Sequence, residues 1–328
     1  SAAPAARARS MTEAHCYEWR GRRGPSLAGL VGGASVALDR HGVRAAFGEI
    51  AADGATCIDG ARLLLPPRLR GVHRRGAPGP LHALLGEACA RLPNGRVALA
   101  LSGGVDSAAL AALLGERATL YTLAPDLPGY SEEAEARAVA RRLGLPLRVI
   151  PSRAVDYLQA LPLVIAACEC PLYNLHPVSR WLLARAARDD GFDVLVTGDG
   201  ADEVFRGTSG ADYLPIVGAL ARAAGLVPVA PFLAESVAAH IAEDPHKHAL
   251  RELAVSLGVP ESIARRPKQP RFAPPMDLSS LWDGPRAVAL AQALGRELDL
   301  STDRARVSWT TLALLSRQFP GLIVSCAA

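Results

Sequence analysis

The stretch RVALALSGGVDSAALAALLG, Arg96 to Gly115, decides the fold. An apolar run ends at Leu101, a turn of serines, glycines and an aspartate follows, and a second apolar run continues from Ala108. The first run reads as a buried strand and the second as a helix that begins near Asp106. The turn Ser102-Gly103-Gly104-Val105-Asp106-Ser107 therefore lies where free backbone N–H groups gather at a helix start, a place suited to phosphate. Its glycines let the backbone approach an anion, and the hydroxyls of Ser102 and Ser107 add donors. A carboxylate in such a cradle repels phosphate unless a divalent cation bridges them, so Asp106 implies magnesium. No Gly-Lys-Ser/Thr follows, which excludes a Walker A loop.

Outward from this seam, strands and helices alternate. ATLYTLA reads as a second strand, SEEAEARAVARRLG as a helix with Ser131 as its N-cap, and LRVIP as a third strand. A helix around PVSRWLLARAARDDG leads to the strand FDVLVTG and a second acidic, glycine-rich turn, GDGADE. The alternation predicts an α/β fold with a doubly wound parallel sheet. Both glycine–acid turns follow carboxyl ends of strands, so they are expected to face one cleft. From about Tyr213 the chain reads as helices, crossed by the proline-rich RRPKQPRFAPP. Residues 1–25 read as a disordered tail, and 26–78 as a small N-terminal β unit of short alternating strands followed by a proline- and glycine-rich linker.

The hexapeptide SGGVDS resembles the loop of the PP-loop ATP-pyrophosphatases, which cleave ATP between the α and β phosphates. The second turn, LVTGDGADEVFRG (Leu195–Gly207), resembles the signature of the asparagine synthetase and β-lactam synthetase family. The approach CECPLYNLHPVSRWLLARAARDDGFDVLV and the block VPESIARRPKQPRF resemble the same family, in the same order. The resemblance covers about residues 93 to 275 and implies that 79–328 form a PP-loop synthetase domain with a helical C-terminal part.

It also implies roles. Ser102, Gly103, Gly104, Asp106 and Ser107, with Gly198 and Gly200, would bind ATP; Asp106 and Asp202 would hold Mg²⁺ on its phosphates. Lys268 matches the lysine that stabilises charge during adenylation and amide formation. Asp199 is placed to orient or deprotonate an incoming amine, or else caps its own turn. Glu203 anchors the site by hydrogen bonding or serves as a salt-bridge partner, and Glu169 is either a matching site acid or a helix-end acid. Arg206 stands where the family usually has glycine, free to meet an anion or water. The only other lysine, Lys247, carries no motif support and reads as a surface residue.

The implied reaction is ATP-dependent amide formation: a carboxylate is adenylated, pyrophosphate leaves, and an amine or ammonia displaces AMP. The family's N-terminal glutaminase domain has no counterpart of sufficient length here, so glutamine hydrolysis is not expected and ammonia or an amine would come free, from a substrate, or from a supplying or carrier protein. A role in specialised metabolism fits this reduced architecture. The alternatives are a tRNA-modifying PP-loop enzyme and a non-catalytic ATP-binding partner subunit. A net charge of +4 on 328 residues, with no basic run interleaved with aromatics, argues against nucleic acid. Six scattered cysteines without a CxxC pair argue against zinc and for reduced thiols in a cytoplasmic protein. No apolar run reaches the roughly 18 residues of a membrane span.

Overall fold

The computed structural model describes residues 79–127, 129–168, 171–206, 213–267, 275–293 and 295–318, with the backbone of six short strands outside them. The central sheet has five parallel strands: β1 (Val97–Ala100), β2 (Ala118–Pro125), β3 (Leu147–Ser152), β4 (Val194–Val196) and β5 (Val227–Val229). Their spatial order is β5-β4-β1-β2-β3. The helices are α1 (Leu81–Ala90), α2 (Val105–Leu114), α3 (Glu133–Leu143), α4 (Ala154–Cys168), α5 (His176–Asp189), α6 (Ala201–Arg206), α7 (Tyr213–Ala223), α8 (Glu235–His240), α9 (His248–Ser256), α10 (Glu261–Ala264), α11 (Gly284–Ala293) and α12 (Asp303–Gln318).

Strand β1 shows why the sheet is covered on both faces. All four of its residues are buried. Val97 and Leu99 join Ala108 and Leu110 of α2 and Val139 of α3, whereas Ala98 and Ala100 join Leu183 and Ala187 of α5 and Ala221 of α7. Alternate side chains of a strand point to opposite faces, so a continuous apolar run is what a doubly covered central strand requires. Helix α2 is apolar nearly all round because most of it lies inside. The first three strands run outward from β1 in one direction, and β4 and β5 lie on its other side. The order of the sheet thus reverses between β1 and β4, and the expected doubly wound α/β sheet is present.

Two elements differ from the sequence reading. The segment after Tyr213 is not helical throughout, because Val227–Val229 adds an edge strand in parallel register with Val194–Val196. Pro228 is tolerated there since an edge strand leaves one side of its backbone unpaired. Nor is the whole of residues 1–25 a tail: Cys16–Trp19 pairs antiparallel with both Arg22–Gly24 and Ala61–Leu64. These strands, with Val36–Leu38 and Thr56–Ile58, make a second sheet, and Leu322–Val324 joins it in parallel with Val36–Leu38. Most of the expected linker, residues 66–78, lies outside the described residues.

Helix α3 begins at Glu133, and Ser131 Oγ accepts the backbone N–H of Glu133 at 3.2 Å. The N-cap position itself is Glu132, one residue later than expected, so Ser131 meets that donor from the residue before the cap. Cys89 and Cys168 are buried and form no disulfide among the described residues, and burial pushes the Cys89 thiol up to about 11, which keeps it protonated. Among the described residues no helix is long and apolar enough to cross a membrane.

Candidate active site

The loop after β1 is held by its own serines. Ser107 Oγ accepts the N–H of Ser102 at 3.1 Å, lies 3.2 Å from Ser102 Oγ and donates to Gly104 O at 3.3 Å. Those bonds fold the hexapeptide into a closed turn in front of α2, whose first turn also carries Asp106. Gly103 has φ +63, and a Cβ there would sit 2.9 Å from Glu135 Cβ and 3.1 Å from Glu132 Oε1. The position is open only to glycine, because both the backbone region and the space exclude a side chain.

The second turn, after β4, packs directly on the first. A Cβ on Gly198 would lie 3.1 Å from Ser107 N and 3.2 Å from Asp106 Cβ. Gly200, at φ +86, passes so close to Leu233 that a Cβ would overlap its side chain. The structural demand on Gly198 and Gly200 is therefore close approach, of one turn to the other and of the second turn to Leu233. Both also line the cavity. The turns meet at the reversal of strand order, where ligands of open α/β sheets bind. They open into one cavity of about 840 Å³, lined by every loop residue from Ser102 to Ser107 and by Gly198 to Glu203.

In this cavity Asp106 and Asp202 converge on one cation, and the cation is Lys247. Its Nζ lies 2.8 Å from both carboxylate oxygens of Asp106 and 2.8 Å from Asp202 Oδ1. This corrects the surface reading of Lys247, whose side chain is only 7% exposed. The cause is tertiary. Helix α9 packs on α2, and Asp244 N donates to Phe205 O at 3.0 Å, tying the loop before α9 to the helix that carries Asp202. Lys247 itself has φ 57, and it alone among the described non-glycine residues has a positive φ. Such a backbone costs an ordinary residue about 1–2 kcal/mol, so the surrounding contacts must hold it there. Lys247 N donates to Asp244 O at 2.8 Å, and Asp244 Oδ2 accepts Ala249 N at 2.9 Å.

Two carboxylates already sharing a cation have the donor chemistry of a magnesium site that is completed by phosphate and water. Among the described residues no group of three or more His, Cys, Asp or Glu side chains is arranged to hold a metal without such help.

In the same cavity Arg180 Nη2 donates to Asp199 Oδ1 at 2.7 Å. Asp199 Oδ2 is buried and has no hydrogen-bond partner among the described residues. One helical turn from Arg180, burial pushes His176 down to about 4; the Arg180 guanidinium acts the same way and Asp199 opposes it. Sequence reasoning passed over His176 and Arg180 and read Lys247 as a surface residue. The signal for the first two was their spacing of four on a helix that precedes the second turn, which puts them on one face.

The comparisons with known proteins bear on part of the chain. The asparagine synthase family model matches residues 81–224. Residues 81–224 are thus similar to the asparagine synthase family. This segment holds β1 to β4, both turns, Asp106, Asp199, Asp202 and the Arg180 contact. NMN synthetase from Francisella tularensis is similar in structure over 73% of this chain and 92% of its own, at 18% identity and a TM-score of 0.36. The comparison with curated proteins gives no match.

The matched segment does not by itself complete the site, since Lys247 enters from beyond it. So does Arg266, whose Nη1 lies 2.9 Å from Glu135 and 3.7 Å from Glu132, the two acids beside Gly103. Lys268, two residues further on, and Glu169 lie outside the described residues, as does the side chain of Arg206. Glu203 lines the cavity next to Asp202.

Proposed function

We propose that the protein is an ATP-dependent, AMP-forming amide ligase. The observation that carries this reading is the convergence of Asp106 and Asp202, from two different strand ends, beside a closed serine–glycine loop at a helix start. In the proposed reaction a substrate carboxylate oxygen attacks the α-phosphorus of ATP. The bond to the β-phosphate oxygen breaks, pyrophosphate leaves and an acyl-adenylate remains. An amine or ammonia nitrogen then attacks the acyl carbon, loses a proton, and AMP departs with the other bonding pair.

The Ser102–Ser107 loop binds the departing pyrophosphate through backbone N–H groups and the positive end of α2. Asp106 and Asp202 would hold Mg²⁺, which would supply charge neutralisation on the phosphates. Leu101, Leu123 and Pro125 offer apolar contacts to a flat base at the ends of β1 and β2. Asp199, fixed by Arg180, presents Oδ2 to an N–H of the incoming amine. Lys268, by family resemblance, offers a compact positive charge to the oxygens where charge develops.

We place the substrates among small carboxylic acids and amines, with a carrier or ammonia-supplying protein as a further partner in specialised metabolism. The test is carboxylate-dependent exchange of labelled pyrophosphate into ATP, across a panel of amino acids and small acids with no amine added. Exchange with one acid is expected and names that half of the reaction. Bound ATP with no exchange for any acid, and no AMP when cell extract is added, would replace this reading with a non-catalytic nucleotide-binding subunit.

A further inference from the structure

Asp106 and Asp202 stand at the starts of two helices, and like charges brought together there need a counter-ion. The chain provides its own. Lys247 Nζ touches both carboxylates at 2.8 Å, so a divalent cation on the same oxygens would meet the ammonium at contact range. Burial of the lysine side chain prevents it from simply turning to solvent. Its backbone is pinned in the left-handed region by the Asp244 contacts, which leaves only the four-carbon stem to move. The residue type suits this, because in a chain that otherwise uses arginine the two lysines are exceptions. An ammonium on a flexible stem can pass from carboxylate to phosphate oxygen, whereas a planar guanidinium fork would stay locked on a carboxylate.

We propose that Lys247 makes metal binding conditional on nucleotide. Without ATP it occupies the Asp106–Asp202 pair as their counter-ion, and it moves to a phosphate oxygen when the metal–nucleotide complex enters. The inference rests on the ATP reading of the same cavity. It adds that the empty site rejects free Mg²⁺ and that Lys247 carries the coupling between metal and nucleotide.

The test uses Mn²⁺ as a paramagnetic probe, with free ion counted by electron paramagnetic resonance. The whole chain is titrated with and without α,β-methylene-ATP, whose α–β linkage cannot be cleaved. The wild type is expected to bind Mn²⁺ weakly alone and about tenfold or more tightly with the analogue, a coupling of ordinary allosteric size. Lys247→Met is expected to bind Mn²⁺ alone about tenfold more tightly than wild type and to lose most of the dependence on the analogue. A folded Lys247→Met protein with wild-type Mn²⁺ affinity overturns the proposal. So does wild-type protein that binds Mn²⁺ equally well with and without the analogue, and this arm decides alone if the variant does not fold. Analogue binding with metal affinity independent of it defeats this proposal only; no analogue binding by any form defeats the ATP reading as well.

Discussion

Arg180 on α5 fixes Asp199 in the turn after β4, Nη2 to Oδ1 at 2.7 Å, and both line the cavity. The ion pair takes up one carboxylate oxygen and leaves the other buried without a hydrogen-bond partner among the described residues. A buried acceptor of this kind is costly unless a ligand satisfies it. If the ligand is the amine, Asp199→Asn separates the two halves of the reaction. Pyrophosphate exchange is expected to change little, whereas amide formation falls about a hundredfold or more. Equal loss in both assays would place Asp199 in adenylation instead.

Asp106→Asn removes one of the two carboxylates that meet at Lys247. Mg²⁺-dependent exchange is expected to fall by about two to three orders of magnitude, the range for losing one preorganised electrostatic group. Circular dichroism should show the fold intact, because Asp106 is partly exposed and outside the apolar core. Undiminished exchange would remove Asp106 from the metal site.

Gly200→Ala is a stability prediction. The new methyl would overlap Leu233 on a backbone of φ +86, so both packing and backbone oppose it. A loss of about 1–3 kcal/mol is expected in urea denaturation, with the turn that carries Asp199 and Asp202 displaced. A midpoint equal to that of wild type would show that the second turn can move away from Leu233 at little cost.

The His176 imidazole gives a pH signature. Burial holds its folded-state value near 4, below the ordinary 6.5, so the unfolded chain binds a proton that the folded chain refuses in that window. Stability is then greatest above the ordinary value and falls as pH drops from about 6.5 towards 4, levelling off below it. His176→Gln should flatten this part of the curve of melting temperature against pH, measured as the difference from wild type. An identical slope in the two proteins would mean that His176 is not held neutral.

Much of the site was legible because its parts are local. SGGVDS and GDGADE each join a strand to a helix within a few residues, and their glycines answer to crowding by the next turn, by Leu233 or by the acids of α3. The burial of β1 and α2 was legible for the same reason, since a short apolar run between turn residues has few other places to go. The edge strand Val227–Val229 was not, because three residues around a proline show no period and its pairing partner lies more than thirty residues earlier. Cys16–Trp19 was hidden in the same way: one of its pairing partners, Ala61–Leu64, lies more than forty residues later.

The sequence by itself determined that strands and helices alternate, that two glycine–acid turns follow strand ends, and that Asp106, Asp199 and Asp202 are their acids. Only the tertiary structure decided what those acids face. Lys247 stands 141 residues from Asp106, and nothing in its neighbours distinguishes it from a solvated lysine. It becomes the shared cation because α9 packs on α2 and the loop before α9 bonds to the end of α6. Periodicity and turn chemistry act between residues a few positions apart, whereas an ion pair depends on distance in space, which the packing of whole helices sets.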